Sequence, residues 1–546
     1  MMDYNIGNIL EQLALKLKGK KGLVAPSKGT WMSWSFQELS TIATHFVGEL
    51  HALGIKKGDR VMLMVRPSVE FICLTFSLFQ LGAVVILIDP GMGYKNLLRC
   101  IGAVRPDVLI GIPKAMYFSK IFRKPFVTLR TRISVGRSLL WRGPCLDMID
   151  DAITKKERSD LPHFKADIDD LAAIIFTTGS TGPPKGVQYT HGIFHAQLEL
   201  IRDYFGIGEG DIDQPGFPLF GLFSIALGAT AVIPDMDPTR PAKVDPQKFV
   251  NSILEYGVTY SFGSPAIWNV VSRYCQENGI KLPVKKILMA GAPVPGTLIQ
   301  GLQRVMGANS QIFTPYGATE SLPIAAIEGH EVTSETWQQS RLGRGTCVGN
   351  PLPGITIKII TPFDGPVSTW DNAVELPAGE IGEIVVKGAV VTRAYDSNAK
   401  ENEHSKISDG QTFWHRMGDM GYFDDLGRLW FCGRKAHRVF TASGVLYTIP
   451  CEAIFNEHPS VFRSALVGIG KKSNQKPVLI VELNKKMHNQ GLLFQQLKAL
   501  AAANSLTQEI ETFLVHPGFP VDIRHNAKIF REQLALWAGR KVRCHD

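Results

Sequence analysis

No C-x-x-C pair occurs in this chain, whose eight cysteines stand scattered at positions 73, 100, 145, 275, 347, 432, 451 and 544. That excludes a zinc-finger pattern and a disulfide framework, and leaves the expectation of reduced thiols in a cytosolic compartment. Met1 to Asn8 show no basic segment leading into an apolar one, so no secretory signal is expected. Long apolar runs are missing as well. The nearest, Phe71 to Ile88, is broken by Thr75, Ser77, Gln80 and Gly82 and followed by Asp89-Pro90. It reads as a buried helix, a glycine stop and a buried strand, not a membrane span. Nor is there an internal repeat, a low-complexity tract or the Gly-x-x-x-x-Gly-Lys-Ser/Thr segment of a Walker P-loop.

Acidic residues are absent from one stretch. Between Asp107 and Asp147 stand eight basic residues (Lys114, Lys120, Arg123, Lys124, Arg130, Arg132, Arg137, Arg142) and no carboxylate, interleaved with Met116, Tyr117, Phe118, Phe122, Phe126 and Trp141. Nearly all of the formal net charge of +9 sits there. A basic, aromatic stretch suits an anionic membrane surface, so one expectation for this cytoplasmic chain is peripheral contact with the inner membrane through 114–142. The plainer expectation is a solvated helix face. Nucleic acid would also be attracted, but no recognition module accompanies the charge, and no nucleic-acid partner is expected.

What is present describes a globular chain of 546 residues with 45% apolar and 20% charged residues, long enough for two or more domains. Thr177-Thr178-Gly179-Ser180-Thr181-Gly182-Pro183-Pro184-Lys185-Gly186 follows a short apolar run, Leu171 to Phe176. The run suits a buried strand. The loop emerging from it offers backbone N–H groups, hydroxyls, close-approach glycines and a terminal lysine, which together suit phosphate; a surface turn is the alternative.

Around this loop the pattern alternates. Ser35 and Glu38 form a capping box before a helical spacing that runs from Phe36 to Leu53 and stops at Gly54. Strands are expected at 60–65 and 83–88 with a helix at 70–81 between them, which points to a largely parallel, helix-flanked sheet. A helix is expected at 192–205 and strands at 256–263 and 286–290. Phe217 to Phe223, apolar and flexible, suits a pocket wall. Phe313-Thr314-Pro315-Tyr316-Gly317-Ala318-Thr319-Glu320 puts an aromatic ring, a glycine, a hydroxyl and a carboxylate within five residues, a set that could stack a base and hold a hard cation. From 355 to 432 short alternating strands imply a small β subdomain, and past Arg434 a compact α/β module completes the chain.

In their order and spacing these segments resemble the adenylate-forming superfamily of acyl-CoA synthetases, peptide-synthetase adenylation domains and luciferases. The resemblance covers nearly the whole chain. It implies an α/β fold: a large N-terminal domain of helix-flanked β-sheets over 1–432, with a small β subdomain at about 351–432, and a small mobile α/β lid over 433–546. It implies ATP and Mg²⁺ as cofactors. Thr177, Thr178, Gly179, Ser180, Thr181, Gly182 and Lys185 would cradle the β- and γ-phosphates. Gly291, Ala292 and Pro293 would form one side of an adenine slot and Tyr316 the other, followed by Gly317. Thr319 would meet the α-phosphate, Glu320 the metal, and Asp419 the ribose hydroxyls beside Arg434. Lys528 would reach the carboxylate and α-phosphate. Lys185, Thr319, Glu320 and Lys528 are thus the expected catalytic groups, and Phe217, Phe220, Gly221, Phe262 and Gly263 the expected acyl pocket.

Departures from the acyl-CoA synthetases narrow the resemblance. The hinge position, acidic or lysine in those enzymes, is Ala436; their Gly-x-Arg is Gly444-Val445-Leu446; their pocket-gating histidine is Gly221; and Asn526-Ala527 replaces Ser-Gly before the lysine. Pro234 to Ala242 and Ile523 to Lys528 look like the β-lactone synthetases of bacterial olefinic-hydrocarbon biosynthesis. That implies adenylation of a long-chain 2-alkyl-3-hydroxy acid, ring closure by its own 3-hydroxyl, and assembly with other olefin-pathway enzymes. Ligation to coenzyme A, release as a fatty acyl-AMP, and an inactive nucleotide-binding homologue remain as alternatives. His191 and His195 are candidate bases for the hydroxyl, though a histidine at a helix start is more often structural.

Overall fold

The computed structural model describes residues 3–27, 29–146, 161–177, 183–485, 490–522 and 528–543. Thr178, Gly179, Ser180, Thr181 and Gly182, and Ile523 to Ala527, lie outside the described residues.

Two large sheets and one small sheet organise the chain. The first runs in the order Cys145–Leu146, Thr131–Val135, Val108–Gly111, Arg60–Met64, Val84–Leu87, Leu171–Phe176, Gly186–Thr190. Its pairings are parallel except the last, which is antiparallel. Helices Phe36–Ala52 and Val69–Gln80 cover it and pack on one another. The capping box at Ser35 and Glu38 forms as expected, a device contributing about 1 kcal/mol. Thr75 and Ser77, two of the residues that argued against a membrane span, are buried and satisfied. Thr75 donates to the Phe71 carbonyl at 2.7 Å, and Ser77 to those of Ala43 at 2.8 Å and Cys73 at 2.6 Å. No helix among the described residues is long and apolar enough to cross a membrane.

The second sheet has a parallel centre. Lys21–Ser27, Thr230–Val232, Ile212–Asp213, Tyr260–Gly263, Lys286–Met289 and Gln311–Ala318 lie side by side, all parallel. The strand expected at 256–263 is only Tyr260–Gly263, because Tyr256 still belongs to helix Pro246–Tyr256. Gly257 ends that helix at φ 64°, a left-handed position that glycine takes without strain. The short strands expected over 355–432 include a strand of twelve residues, Thr412–Phe423. They are continuous with the central sheet, since Thr346–Pro351 pairs at one end with Ser321–Glu328 and at the other with Leu429–Arg434.

Beyond these stands a smaller C-terminal sheet, Val461–Lys471, Asn474–Leu483 and Thr512–Val515, with helices Thr448–Asn456, Gln490–Ala502 and Arg531–Arg543. It has its own apolar clusters, around Phe455, Leu466 and Leu497 and around Ile480 and Leu534. It meets the larger part through the packing of helix Thr448–Asn456 on residues 340–344 and through ion pairs. Asp364 accepts from Arg438 at 2.9 Å and from Lys472 at 2.7 Å, and Arg341 pairs with Glu457. Gly343, at φ 90°, allows the closest approach, for a Cβ there would lie 2.6 Å from Leu506 Cδ1.

Candidate active site

Ligands of open α/β sheets sit beyond the carboxyl ends of parallel strands. Here the segments after Asp213, Gly263 and Met289 and the end of Gln311–Ala318 share that edge, which brings Phe217, Gly263, Gly291 and Tyr316 to one side of the sheet. Gly291 has φ 98°, the left-handed turn that lets the chain leave strand Lys286–Met289 sharply.

The loop expected to hold phosphate is a hairpin loop. A strand unnoticed in the sequence, Gly186–Thr190, returns antiparallel to Leu171–Phe176. Thr177 closes the neck: its N–H donates to the Lys185 carbonyl at 3.0 Å and its Oγ1 accepts from the Lys185 N–H at 3.1 Å. Lys185 Nζ pairs with Glu401 and stands 5.1 Å from the centre of the Tyr395 ring.

Thr319 and Glu320 form the two-residue turn between strands Gln311–Ala318 and Ser321–Glu328, where Ala318 faces Ser321. The turn is held from both sheets. Tyr189, on the returning strand, donates its hydroxyl to the Thr319 carbonyl; Thr392 donates its N–H at 2.9 Å and its Oγ1 at 3.0 Å to the Glu320 carbonyl. Glu320 Oε1 accepts the Tyr395 hydroxyl at 2.7 Å, and Oε2 accepts no hydrogen bond among the described residues. Burial pushes the Tyr395 phenol far up and the carboxylate of Glu320 adds to the shift, so the tyrosine is a permanent donor. Lys406 donates to the Thr392 carbonyl; burial pushes its ammonium down to about 7 while Glu320 pulls it back up.

Tyr395, Lys406 and Glu401 were missed in the sequence. Nothing local marks them, and only the pairing of segment 391–396 with strand Gly186–Thr190 and with Ser321 brings them in. Tyr395→Phe should keep the ring beside Lys185 while removing a hydrogen bond to a carboxylate, a contact contributing about 1.5–3 kcal/mol. A roughly tenfold rise in the magnesium concentration giving half-maximal ATP–pyrophosphate exchange is expected; an unchanged titration would show that the bond does not orient Glu320.

Asp419 is buried on strand Thr412–Phe423, directly opposite Arg434. Tyr316 donates its hydroxyl to Oδ2 at 2.7 Å; Oδ1 lies 3.0 Å from Arg434 Nη1 but accepts no well-aligned hydrogen bond. Burial raises the Asp419 pKa, while Arg434, Tyr316 and Lys528 pull it down. Lys528, from the C-terminal part, is therefore within electrostatic reach of Asp419. Its backbone is held by the Asp522 N–H, which donates to the Lys528 carbonyl at 2.9 Å.

The expected acyl pocket is an aromatic wall. Phe220 stacks on Phe262 with centroids 3.7 Å apart, then Phe223, Phe194 and Tyr189 follow at 5.9, 6.1 and 5.2 Å. Phe217 lies 5.8 Å from Phe220. Gly263 is needed for closeness, because a Cβ would meet Trp268 Nε1 at 2.6 Å. Gly221 opens the short helix Gly221–Ala226, with Ile233 3.4 Å from where a Cβ would be.

Behind this wall sits Asp213, fully buried, accepting the Ser224 hydroxyl at 2.5 Å through Oδ2 while Oδ1 accepts no well-aligned hydrogen bond among the described residues. Burial pushes its carboxyl up to about 8, against the pull of Ser224 and the Phe262 amide. A folded pKa above the ordinary value of 3.8 means stability present at low pH and lost as pH rises from about 4 to about 8. Asp213→Asn, neutral at every pH, should melt with the native chain near pH 4 and at increasingly higher temperature than it toward pH 8. Thermal unfolding across that range is the measurement, and parallel melting curves would contradict an ionisable buried acid.

The two candidate histidines are tied to the N-terminal segment. His191 is buried, accepts the Ile6 N–H at 3.2 Å on Nδ1, and is pushed by burial down to about 4. His195 Nε2 lies 3.0 Å from the Tyr4 carbonyl. Ala436 is exposed between two anchored bases. Lys435 stands 3.0 Å from Glu383 Oε1, and Arg438 holds Asp364.

Residues 12–396 match the family described as AMP-binding enzyme. The chain belongs to that family. It is 43% identical over 539 residues to the olefin beta-lactone synthetase of Stenotrophomonas maltophilia (strain K279a), covering 97% of this chain and 96% of that one. It is equally 43% identical, over 542 residues, to the olefin beta-lactone synthetase of Xanthomonas campestris pv. campestris, covering 97% and 95%. In fold it is similar to the amide bond synthetase McbA from Marinactinospora thermotolerans, with TM-score 0.80 and 19% identity over 98% of this chain and 99% of that one. Thus this AMP-binding enzyme has the mixed α/β architecture expected from its motifs, a large sheet-built N-terminal part and a smaller C-terminal domain, and it is an AMP-forming ligase.

Proposed function

We propose that the chain activates a long-chain 2-alkyl-3-hydroxy acid with ATP and closes the product to a β-lactone. The observation that carries this reading is the 43% identity, over 97% of the chain, to two olefin beta-lactone synthetases. The geometry is compatible with it at each step. In the first, a carboxylate oxygen attacks the α-phosphorus of ATP, the bond to the β-phosphate oxygen breaks, and pyrophosphate leaves. Two anions must meet, so the site has to supply cations. Lys185 at the loop neck and Lys528 beside Asp419 are placed to do so. Asp419 Oδ1, buried and short of a donor, suits a ribose hydroxyl.

The donor set also suits magnesium, which usually takes one or two protein carboxylates and completes its shell with phosphates and water. Glu320 offers one carboxylate with an uncommitted oxygen, and no cluster of three or more ligating side chains stands elsewhere among the described residues. Bound there with the phosphates, magnesium would supply positive charge against the charge developing on the phosphoryl oxygens.

In the second step the 3-hydroxyl oxygen bonds to the activated carbonyl carbon, the acyl–phosphate C–O bond breaks, AMP leaves and the hydroxyl proton is released. Attack within one molecule is favoured by positioning, an effect reaching about 7 to 11 kcal/mol. An aromatic wall, with glycine at position 221, suits a branched, apolar acid. Residues 433 onward act as a lid that carries Lys528, and Ala436 takes the hinge position without a charged side chain.

Product analysis tests the reading. The purified protein is incubated with ATP, Mg²⁺ and a long-chain 2-alkyl-3-hydroxy acid, with and without coenzyme A, beside a plain fatty acid. Lactone and AMP formed independently of coenzyme A are expected. A thioester from the plain fatty acid, with no lactone, would make the chain an acyl-CoA ligase.

A further inference from the structure

The acid-free stretch builds one surface. Helix Pro113–Ile121 buries Ala115, Met116 and Ser119, so Lys114, Lys120 and Ile121 face outward. The loop after strand Thr131–Val135 is tied to this helix: Tyr117 Oη and Ser138 Oγ are 3.0 Å apart, and Lys120 Nζ stands 4.6 Å from the Trp141 ring centre. On the other flank Tyr94 packs on Phe118 and Phe118 on Phe122, with centroids 5.9 and 4.8 Å apart. Tyr94, Ile121, Phe122, Leu139 and Leu140 therefore belong to one neighbourhood.

These apolar side chains are unusually bare. Leu139 is fully exposed, Leu140 is 79% exposed, Tyr94 and Ile121 are each 73% exposed, and Phe122 is 40% exposed. Single exposed leucines are ordinary, but a cluster of large apolar groups at a surface marks a contact site. Its surroundings narrow the choice of contact. Arg123, Lys124, Arg137 and Arg142 are exposed beside it, and no carboxylate occurs between Asp107 and Asp147. A protein interface of ordinary composition would be depleted of lysine and would include both signs of charge. Exposed apolar tips on a stretch whose charges are all basic match a bilayer of anionic lipid, where the tips enter the acyl boundary and the cations meet phosphate.

We propose that the face formed by helix Pro113–Ile121, residues 122–124 and the 137–142 loop docks the enzyme on an anionic lipid bilayer. Docking there would let a long-chain acid reach the enzyme without crossing water, and would leave the C-terminal domain, which contributes nothing to this face, free to move. The inference is read without any acid substrate, so it stands or falls separately from the lactone assignment.

The test is sedimentation of the full chain with vesicles of phosphatidylcholine alone or with 30% phosphatidylglycerol. Strong binding to the anionic vesicles is expected, falling at least tenfold when salt rises from 0.1 to 0.5 M. The double variant Leu139→Ser/Leu140→Ser and, separately, Arg123→Glu/Lys124→Glu should each lower binding about tenfold or more. Both should retain the native melting temperature and native ATP–pyrophosphate exchange with a short soluble acid, which separates docking from misfolding. Failure of the native chain to bind anionic vesicles would overturn the proposal, as would variants that bind like the native chain. A change of oligomeric state or solubility in the variants, with vesicle binding intact, would assign the face to a protein contact and equally overturn it.

Discussion

Replacing Lys528 by alanine is expected to slow acyl-adenylate formation by about 10²- to 10³-fold, the usual cost of removing one preorganised charge from a site where negative charge accumulates. The loss should fall on the rate and much less on the affinity for ATP, because the loop neck at Thr177 and Lys185 and the Asp419–Arg434 pair remain. ATP–pyrophosphate exchange measures the first step. Supplying the preformed acyl-adenylate bypasses it. Lactone formation from that adenylate should stay within a few-fold of the native rate, since Lys528 is assigned to the attack on phosphorus. If the variant were equally impaired with the preformed adenylate, the lysine would belong to ring closure or to the lid as a whole.

A loss of about 10²-fold is expected from Glu320→Gln, for a different reason. The amide keeps an oxygen for the Tyr395 hydroxyl and keeps the two-residue turn intact, so only the charge is lost. Lys406, whose ammonium is held up by that charge against burial, should then titrate below its value of about 7. The sign follows from the removal of an attractive carboxylate. The activity of the variant should require far more magnesium than the native enzyme does, and its pH profile should shift with Lys406. A variant with the native magnesium dependence would show that Glu320 does not hold the metal.

Legibility in the sequence followed the range of the interaction. The capping box at Ser35 is contained within four residues, and its residue types announce its geometry. The parallel β/α alternation was readable for the same reason, from periodicity in single elements. Tyr395 and Lys406 were not: the first matters through its hydrogen bond to Glu320 and the second through its bond to the Thr392 carbonyl within reach of that charge, and both follow only when segment 391–396 meets two other strands. Asp213 carries no local mark of its isolation, which depends on strands that flank it from elsewhere in the chain. Tyr256 failed in the opposite direction. Its β-forming side chain suggested a strand, but a left-handed glycine one residue later completes a helix instead.

The ion pairs between Asp364 and its two partners, Arg438 and Lys472, have a thermodynamic meaning for the proposed lid. Asp364 and Lys472 are mostly in water, at 55% and 74% side-chain exposure, and the Arg341–Glu457 pair is also solvent-accessible. Exposed pairs of this kind contribute about 0–1 kcal/mol each, and dissolved salt screens them over about 8–10 Å. These pairs are therefore the salt-sensitive share of the contact, beside the packing of helix Thr448–Asn456 on residues 340–344. Rising ionic strength should thus loosen the small domain without abolishing its seat on the larger part.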